Sequence, residues 1–113
     1  MSGTLVIVGA PGAGKTAVLG ALSTRLEAAG VAHGTFEAEQ LSQGFPLLDV
    51  AEWAAQLAAV VALQRAASRA ILLVTATVES EPELAAVRAA VAGDRVLVAC
   101  LDAPAAVVAS RLD

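Results

Sequence analysis

The sequence has few of the residues that several classes of protein require. It contains one cysteine, Cys100, which excludes an internal disulfide and suits a reducing compartment, so we expect a cytoplasmic location. Seven basic residues stand against eleven acidic ones, and the net charge is −4. No basic stripe is present, so we expect no nucleic-acid partner, because such binding depends on neutralising phosphates.

Long apolar runs are also missing, although 58% of the residues are hydrophobic. The longest uninterrupted run is Leu57 to Leu63, and a membrane-spanning helix needs about 20 predominantly apolar residues. We therefore expect no membrane partner. No basic segment precedes the first apolar run, so a signal peptide is not expected either. At 113 residues, the chain is expected to form one domain over residues 1–113.

One stretch carries a specific signal, the glycine-rich segment Gly9–Thr16. It fits the phosphate-binding loop pattern G-x-x-x-x-G-K-S/T at every fixed position. The apolar run Leu5–Val8 before it predicts a buried parallel strand. The Ala- and Leu-rich segment Ala17–Ala29 after it predicts a helix, closed by Gly30. Strand, loop and helix together favour an anion-binding site at a helix N-terminus.

The chemistry of the loop assigns a role to its members. Glycine lets the backbone approach an anion closely, and Pro11 stiffens the loop where no N–H is required. Lys15 is placed to reach the outer phosphates, and the Thr16 hydroxyl to hold a magnesium ion. The predicted nucleotide-binding set is Gly9, Ala10, Pro11, Gly12, Ala13, Gly14, Lys15, Thr16 and Ala17.

The alternative is that this segment is a glycine-rich turn that merely joins a strand to a helix. Against it, Lys15 is the only lysine in a chain whose other basic residues are all arginine. A compact ammonium is thus retained at the position where the motif needs one. We therefore favour the functional interpretation.

The segment from Ala32 to Glu39 predicts a second strand that ends in two carboxylates. The spacing of Glu37 and Glu39 puts both on one side of an extended chain. They form either a polar site for a second substrate or magnesium, or a solvated strand end. His33, the only histidine, is expected at the surface.

Two aromatic residues beyond this strand are expected to pack internally. Trp53 has helical spacing with Leu57 and Val60, which indicates core packing and not base stacking. Phe45 lies in the loop 42–46 and could pack on a substrate, but anchoring of the loop into the core is the expected role.

The remaining segments alternate between helix and strand. Helices are predicted from Asp49 or Val50 to Ser68, from a cap at Ser80 to Val91, and from Asp102 onward; strands are predicted at 70–76 and 95–101. Ser80 and Glu83 carry a capping-box pattern. The alternation predicts a three-layer αβα sandwich with a four-stranded parallel sheet in the order 2-3-1-4. The glycine-rich loop then lies at the carboxyl ends of the strands, where ligands bind.

Several phosphate-loop classes do not fit. A GTP switch protein would show D-x-x-G and N-K-x-D, and neither pattern occurs. A motor-type ATPase has a strand that ends in an acid near the magnesium, whereas the strand at 70–76 has no acid until Glu79. Glu79 either replaces that acid or contributes negative charge at the next helix N-terminus, and we favour the second role.

The remaining pattern resembles the small-molecule kinases of the P-loop NTPase superfamily, the group of adenylylsulfate, gluconate, shikimate and nucleoside kinases. The resemblance depends on Gly9–Thr16, on the paired acids Glu37 and Glu39, and on the segment Cys100–Leu112. It implies binding of ATP and magnesium through Lys15 and Thr16. It also implies that Glu37 or Glu39 orients or deprotonates an acceptor hydroxyl, and that Arg111 is the first lid arginine.

The chain departs from that group after Arg111, where members continue into a lid, a fifth strand and a last helix. We therefore expect a C-terminally truncated or reduced relative. Two hypotheses follow. The chain is either the core of an ATP-dependent kinase acting on a hydroxyl acceptor, or a nucleotide-binding module without catalysis. A partner chain, or a second copy, could complete the module through a sheet edge beside the first or fourth strand.

Overall fold

Strands and helices alternate along the chain, as predicted. The computed structural model describes residues 2–93 and 95–101. In chain order the elements are β1 (Gly3–Val8), α1 (Lys15–Ala28), β2 (His33–Glu37), a 3-10 helix (Ala38–Ser42), α2 (Val50–Ala66), β3 (Ile71–Ala76), α3 (Glu81–Ala90) and β4 (Val96–Cys100). The predicted last helix and Arg111 lie outside the described residues.

The four strands form one parallel sheet in the order β2-β3-β1-β4, which confirms the predicted order. β1 is central, with Val8 opposite Ala76 of β3 and Cys100 of β4. β2 pairs with the other side of β3. The edge strands of the described sheet are therefore β2 and β4, so an exposed edge beside β1 was a wrong expectation. All four carboxyl ends meet at one edge, where β1 leads into the glycine-rich loop.

The main core lies between the sheet and the pair α2 and α3. Val6 of β1 and Val74 of β3 are fully buried against Leu57 of α2 and Val87 of α3. Successive strand residues point to opposite faces, so Leu5 and Leu73 face the other way, towards α1. The helices thus form the outer layers of a three-layer αβα sandwich, as predicted.

The α1 face of the sheet is less well filled than the opposite face. An apolar cavity of about 310 Å³ lies between α1 and the amino-terminal half of the sheet. Leucine and isoleucine side chains from α1, β1, β3 and β4 line it, and Leu97 of β4 is 71% exposed. Among the described residues, the apolar surface of this face is therefore only partly covered.

Side chains cap the N-termini of α3 and α2. Ser80 accepts a hydrogen bond from the Glu83 N–H at 3.3 Å, as predicted, but the Glu83 carboxylate accepts from the Ser80 hydroxyl instead of the backbone. A full capping box occurs at α2, which the sequence analysis missed. There the Glu52 N–H donates to Asp49 Oδ1 at 2.8 Å, and the Asp49 N–H donates to Glu52 Oε1 at 3.1 Å.

Three local expectations need correction. Helix α1 begins at Lys15, not at Ala17, so the motif lysine and threonine are already helical. β2 ends at Glu37, and Glu39 lies in the 3-10 helix, so these two acids do not share an extended chain. Phe45 is 99% exposed, so it does not anchor its loop into the core.

Arg65 connects three elements through side-chain hydrogen bonds. Its guanidinium donates to the carbonyls of Val91 and Ala92 at 2.8 and 3.0 Å, and to the Thr4 hydroxyl at 3.1 Å. The end of α2 is thereby joined to the end of α3 and to β1. No helix in the described part of the chain is both long and apolar enough to cross a membrane.

Candidate functional site

The glycine-rich loop has the backbone conformation that its sequence predicts. Gly12 and Gly14 have φ values of 81° and 97°, in the left-handed region that side chains disfavour. Gly14 also immediately precedes the first residue of α1. The chain therefore reverses sharply between the end of β1 and the helix, and the N-terminal N–H groups of α1 face the mouth of the loop.

Lys15 folds back over the loop. Its Nζ donates to the carbonyls of Gly9 at 2.9 Å and Ala10 at 3.0 Å, and the residue is 8% exposed. The loop closes on the other side, where an added β-carbon at Gly9 would lie 3.0 Å from the Leu101 carbonyl oxygen. The ammonium is thus held within the loop region and does not extend into solvent.

Thr16 connects the loop to β2. Its hydroxyl donates a 2.6 Å hydrogen bond to the Glu37 carboxylate, 21 residues away. Glu37 is the last residue of β2, so it stands at the carboxyl edge of the sheet. One predicted carboxylate therefore lies directly beside the predicted magnesium ligand.

Glu39 is held by a second threonine. The Thr77 hydroxyl, just beyond β3, donates to Glu39 Oε1 at 2.5 Å. The other oxygen, Oε2, is buried and accepts no hydrogen bond from the described residues. Although the strand geometry predicted for this pair was wrong, the 3-10 helix still brings Glu39 to the same edge as Glu37.

The loop and both carboxylates border one cavity of about 330 Å³. Its lining comes from the loop, the first turn of α1 and the carboxyl edge of the sheet: Pro11, Gly12, Gly14, Lys15, Thr16, Ala17, Glu37, Glu39 and Thr77. Three separate segments of the sequence, residues 11–17, 37–39 and 77, thus meet in one concave site. The sequence-based prediction brought all of these segments together except Thr77.

The oxygens in this cavity suit a magnesium ion. Thr16 and Glu37 supply a hydroxyl and a carboxylate, which are ligands that magnesium prefers. No three His, Cys, Asp or Glu residues in the described part of the chain form a metal-binding group. Magnesium is commonly bound by one or two protein ligands with phosphate oxygens and waters. These residues therefore fit an ion completed by a phosphorylated ligand, and not a dedicated protein cage.

Other residues singled out in the sequence lie elsewhere. Both nitrogens of His33 are within hydrogen-bond distance of other groups, Ser23 Oγ at 2.8 Å and the Val31 carbonyl at 2.9 Å, at the opposite end of β2. Glu79 is exposed and does not line the loop cavity. Trp53 is buried in the core, as predicted, with 7% exposure. Arg111 lies outside the described residues.

Thr77 is the site residue that the sequence analysis missed. A weak signal was present, because Thr77 directly follows a buried parallel strand, and ligands bind at the carboxyl ends of such strands. Glu39 and Thr77 together place a carboxylate near the end of β3, where the sequence has none.

The sequence matches no protein-family model and no curated protein. Solved structures do match. A sugar kinase from Janibacter sp. HTCC2649, solved without ligand, aligns with 99% of this chain at a TM-score of 0.74 and 20% identity. A protein designated APE1195 aligns with 97% at a TM-score of 0.71 and 19% identity. The APS kinase of Mycobacterium tuberculosis, solved with AMPPNP and APS, aligns with 97% at a TM-score of 0.70 and 19% identity.

This chain covers 66%, 65% and 68% of those three chains, respectively. It thus spans about two thirds of their length. The sheet order, the loop geometry and these matches agree with one another. The chain has the same fold as the sugar kinase and the APS kinase.

Proposed function

We propose that this chain binds ATP with magnesium and forms the core of a kinase that phosphorylates a hydroxyl group on a small molecule. The observation that carries the proposal is the meeting of Lys15, Thr16, Glu37 and Glu39 around one cavity at the carboxyl edge of the sheet. The likeness in fold to a sugar kinase and an APS kinase supports the same class of activity.

In this proposal the triphosphate lies in the loop cavity. Backbone N–H groups of the loop and of the first turn of α1 bind phosphate oxygens, and Lys15 neutralises the outer phosphates. Lys15 Nζ donates hydrogen bonds to two loop carbonyls, so the ammonium lies within the loop that would bind the phosphates. Thr16, beside Glu37, would hold magnesium, and a bound ion would neutralise charge on the phosphates.

The transfer step forms one bond and breaks one. The acceptor oxygen bonds to the γ-phosphorus while the bond from that phosphorus to the β–γ bridging oxygen breaks, which yields ADP and a phosphate ester. A carboxylate of the pair Glu37 and Glu39 orients the acceptor hydroxyl and takes its proton. Glu39 is proposed for this role, because Glu37 accepts a hydrogen bond from Thr16, the proposed magnesium ligand, whereas Glu39 accepts from Thr77. Arg111 is proposed as the first lid arginine, and the site of action as the cytoplasm.

A second hypothesis is a nucleotide-binding module without catalysis of its own. The observation that favours it is that β3 ends without an acid of its own, and Glu79, the first acid after it, does not line the loop cavity. A second copy or another chain would complete the site across an edge strand, β2 or β4.

Two measurements test the function and separate the hypotheses. Calorimetric titration with ATP in the presence of magnesium should give saturable binding. If no nucleoside di- or triphosphate binds, both hypotheses are contradicted. ADP release in the presence of a panel of hydroxylated compounds, corrected for hydrolysis without acceptor, then measures transfer. Transfer to any acceptor supports the kinase, whereas binding without transfer supports the module.

A further inference from the structure

The groove between α1 and β2 contains a separate cavity of about 420 Å³. It meets the loop cavity at Thr16 and Glu37 and extends to Ser23, about two turns further along α1. Its volume lies within the range of about 300–1,000 Å³ that is usual for small-molecule sites. The proposed phosphoryl transfer uses no residue of this groove beyond Thr16 and Glu37, so the end at Ser23 is free for another role.

Ser23 and His33 form a hydrogen-bonded pair at that end of the groove, where Ser23 lines the cavity. Ser23 Oγ lies 2.8 Å from His33 Nε2, and His33 Nδ1 lies 2.9 Å from the Val31 carbonyl oxygen. Because a carbonyl oxygen only accepts, Nδ1 carries a proton and donates. In the neutral imidazole Nε2 is then the acceptor, and the Ser23 hydroxyl donates to it. A hydroxyl bonded to a base that a third group orients is the arrangement of an activated nucleophile.

Thr35 brings a second hydroxyl to the same groove. Successive residues of a strand point to opposite faces, and Gly34 faces α2, where an added β-carbon would meet the Gln64 side chain. His33 and Thr35 therefore both face α1. Thr35 is exposed and lines the cavity together with Ser23. Its hydroxyl can donate to an oxygen that gains negative charge beside Ser23, which is the function of an oxyanion donor.

Gly20 leaves space beside Ser23. It is exposed within α1, about one turn before Ser23, and lines the cavity. Glycine is unfavourable inside a helix, and no close packing requires it here, because an added β-carbon would have no atom of another described segment within 4 Å. Buried Leu19 adds an apolar wall, and Glu37 is the one charged residue of the described lining. The groove therefore suits a small, apolar group without negative charge.

We propose that Ser23 is a nucleophile activated by His33, and that this groove hydrolyses esters of short, uncharged acyl groups. Ser23 Oγ bonds to the ester carbonyl carbon while its proton passes to His33 Nε2, and Thr35 donates to the carbonyl oxygen. The bond from that carbon to the alcohol oxygen breaks, and the alcohol leaves with the proton from His33. Water then attacks the acyl–serine ester with the same proton transfers, which releases the carboxylic acid and restores the Ser23 hydroxyl.

The first test locates the nucleophile with a fluorophosphonate, whose phosphorus bonds to the serine oxygen as fluoride leaves. Mass spectrometry of peptides from the labelled full chain should place the adduct on Ser23. His33→Gln removes the base and should slow the labelling about 100-fold or more. Ser42→Ala is the matched control and should be labelled at the parent rate. The Ser42 hydroxyl donates to the Glu39 carbonyl and has no histidine partner among the described hydrogen bonds.

The second test follows the release of p-nitrophenolate from p-nitrophenyl butyrate. Ser23→Ala should reduce the rate to that of the buffer alone. Thr35→Val keeps the shape of the side chain without its hydroxyl and should lower kcat/KM about 100-fold. Gly20→Leu fills the groove and should also lower kcat/KM. Because leucine favours a helix more than glycine does, that loss would not come from unfolding.

Three results would overturn the proposal. The first is an adduct on Ser42 instead of Ser23, or no adduct at all. The second is labelling of Ser23 at the parent rate in His33→Gln. The third is hydrolysis that survives Ser23→Ala, because the His33 imidazole would then attack the ester itself. None of these results bears on the binding of nucleotide at the glycine-rich loop.

Discussion

Trp53 in α2 donates its indole N–H to the carbonyl of Ala38 over 2.7 Å, inside the core. Ala38 is the first residue of the 3-10 helix and is fully buried. Glu39 follows it directly. The position of a proposed catalytic carboxylate is thus fixed by a residue fourteen positions further along the chain.

Trp53→Phe should therefore destabilise the protein and disturb the site. The buried Ala38 carbonyl would lose its donor, which costs about 1–3 kcal/mol. Part of the core volume would be lost as well, because Trp53 is 7% exposed. Urea denaturation measures the free energy of unfolding. Acceptor binding in the presence of AMPPNP should weaken in the same variant under conditions where it is still folded.

Phe45→Ala provides the aromatic comparison. Phe45 is 99% exposed, so its removal should change the free energy of unfolding by less than about 0.5 kcal/mol. A loss in urea experiments as large as that of Trp53→Phe would show that Phe45 packs internally in solution, contrary to the structure.

Lys15→Ala should abolish the stabilisation of the protein by nucleotide. A ligand at a hundred times its Kd stabilises the folded state by about 2.7 kcal/mol, and this gain should disappear with the ammonium. The measurement is the change in Tm on adding magnesium and ATP, compared within each variant. Arg25→Ala removes the same charge from the exposed last turn of α1 and should keep the shift. An undiminished shift in Lys15→Ala would contradict the role of Lys15.

Thr16→Ala should reduce the dependence of nucleotide affinity on magnesium, whereas Thr16→Ser should retain it. The hydroxyl lies beside Glu37 and is the proposed ligand, and serine preserves that hydroxyl. Calorimetric titration with ATP, with magnesium or with a chelator, gives the ratio of the two affinities. Thr24→Ala is a control on the same helix, because its hydroxyl bonds only the Gly20 carbonyl among the described hydrogen bonds. An equal ratio in Thr16→Ala and the parent would count against this site.

Arg65→Ala should lower the free energy of unfolding by about 1–3 kcal/mol, because carbonyls at the end of α3 lose a charged donor. Arg69→Ala is the control, since Arg69 is exposed and its guanidinium donates to the Gln64 side chain alone among the described hydrogen bonds. Its effect should stay within about 0.5 kcal/mol. Urea denaturation of both variants makes the comparison, and similar losses would contradict a special role for Arg65.

The sequence predicted the parts of this molecule that short-range signals specify. The strand, loop and helix around Gly9–Thr16 follow one another directly, and each has a local pattern. The parallel order followed from alternation and crossover geometry. The meeting of Lys15, Thr16 and Glu37 could be predicted for the same reason, because the carboxyl ends of parallel strands share one edge.

What could not be predicted depends on contacts between distant segments. The bond of Arg65 to Thr4 spans 61 positions, and nothing near either residue indicates it. Glu39 leaves the strand because Trp53 and Thr77 bind its 3-10 helix from later in the chain. Phe45 was expected inside because it is apolar, but an apolar residue in a loop packs internally only where the loop meets a groove.

Glu39 lines both the loop cavity and a smaller neighbouring cavity of about 180 Å³, so a ligand in one that turns the carboxylate would alter the other. The Glu39 carboxylate has one orientation at any moment, and that orientation affects the lining of both cavities. Thermodynamic reciprocity then requires that whatever factor an occupant of one chamber adds to the affinity of the other is returned in equal measure. The dissociation constant of each ligand measured alone would therefore differ, by that same factor, from its value when the other ligand is bound.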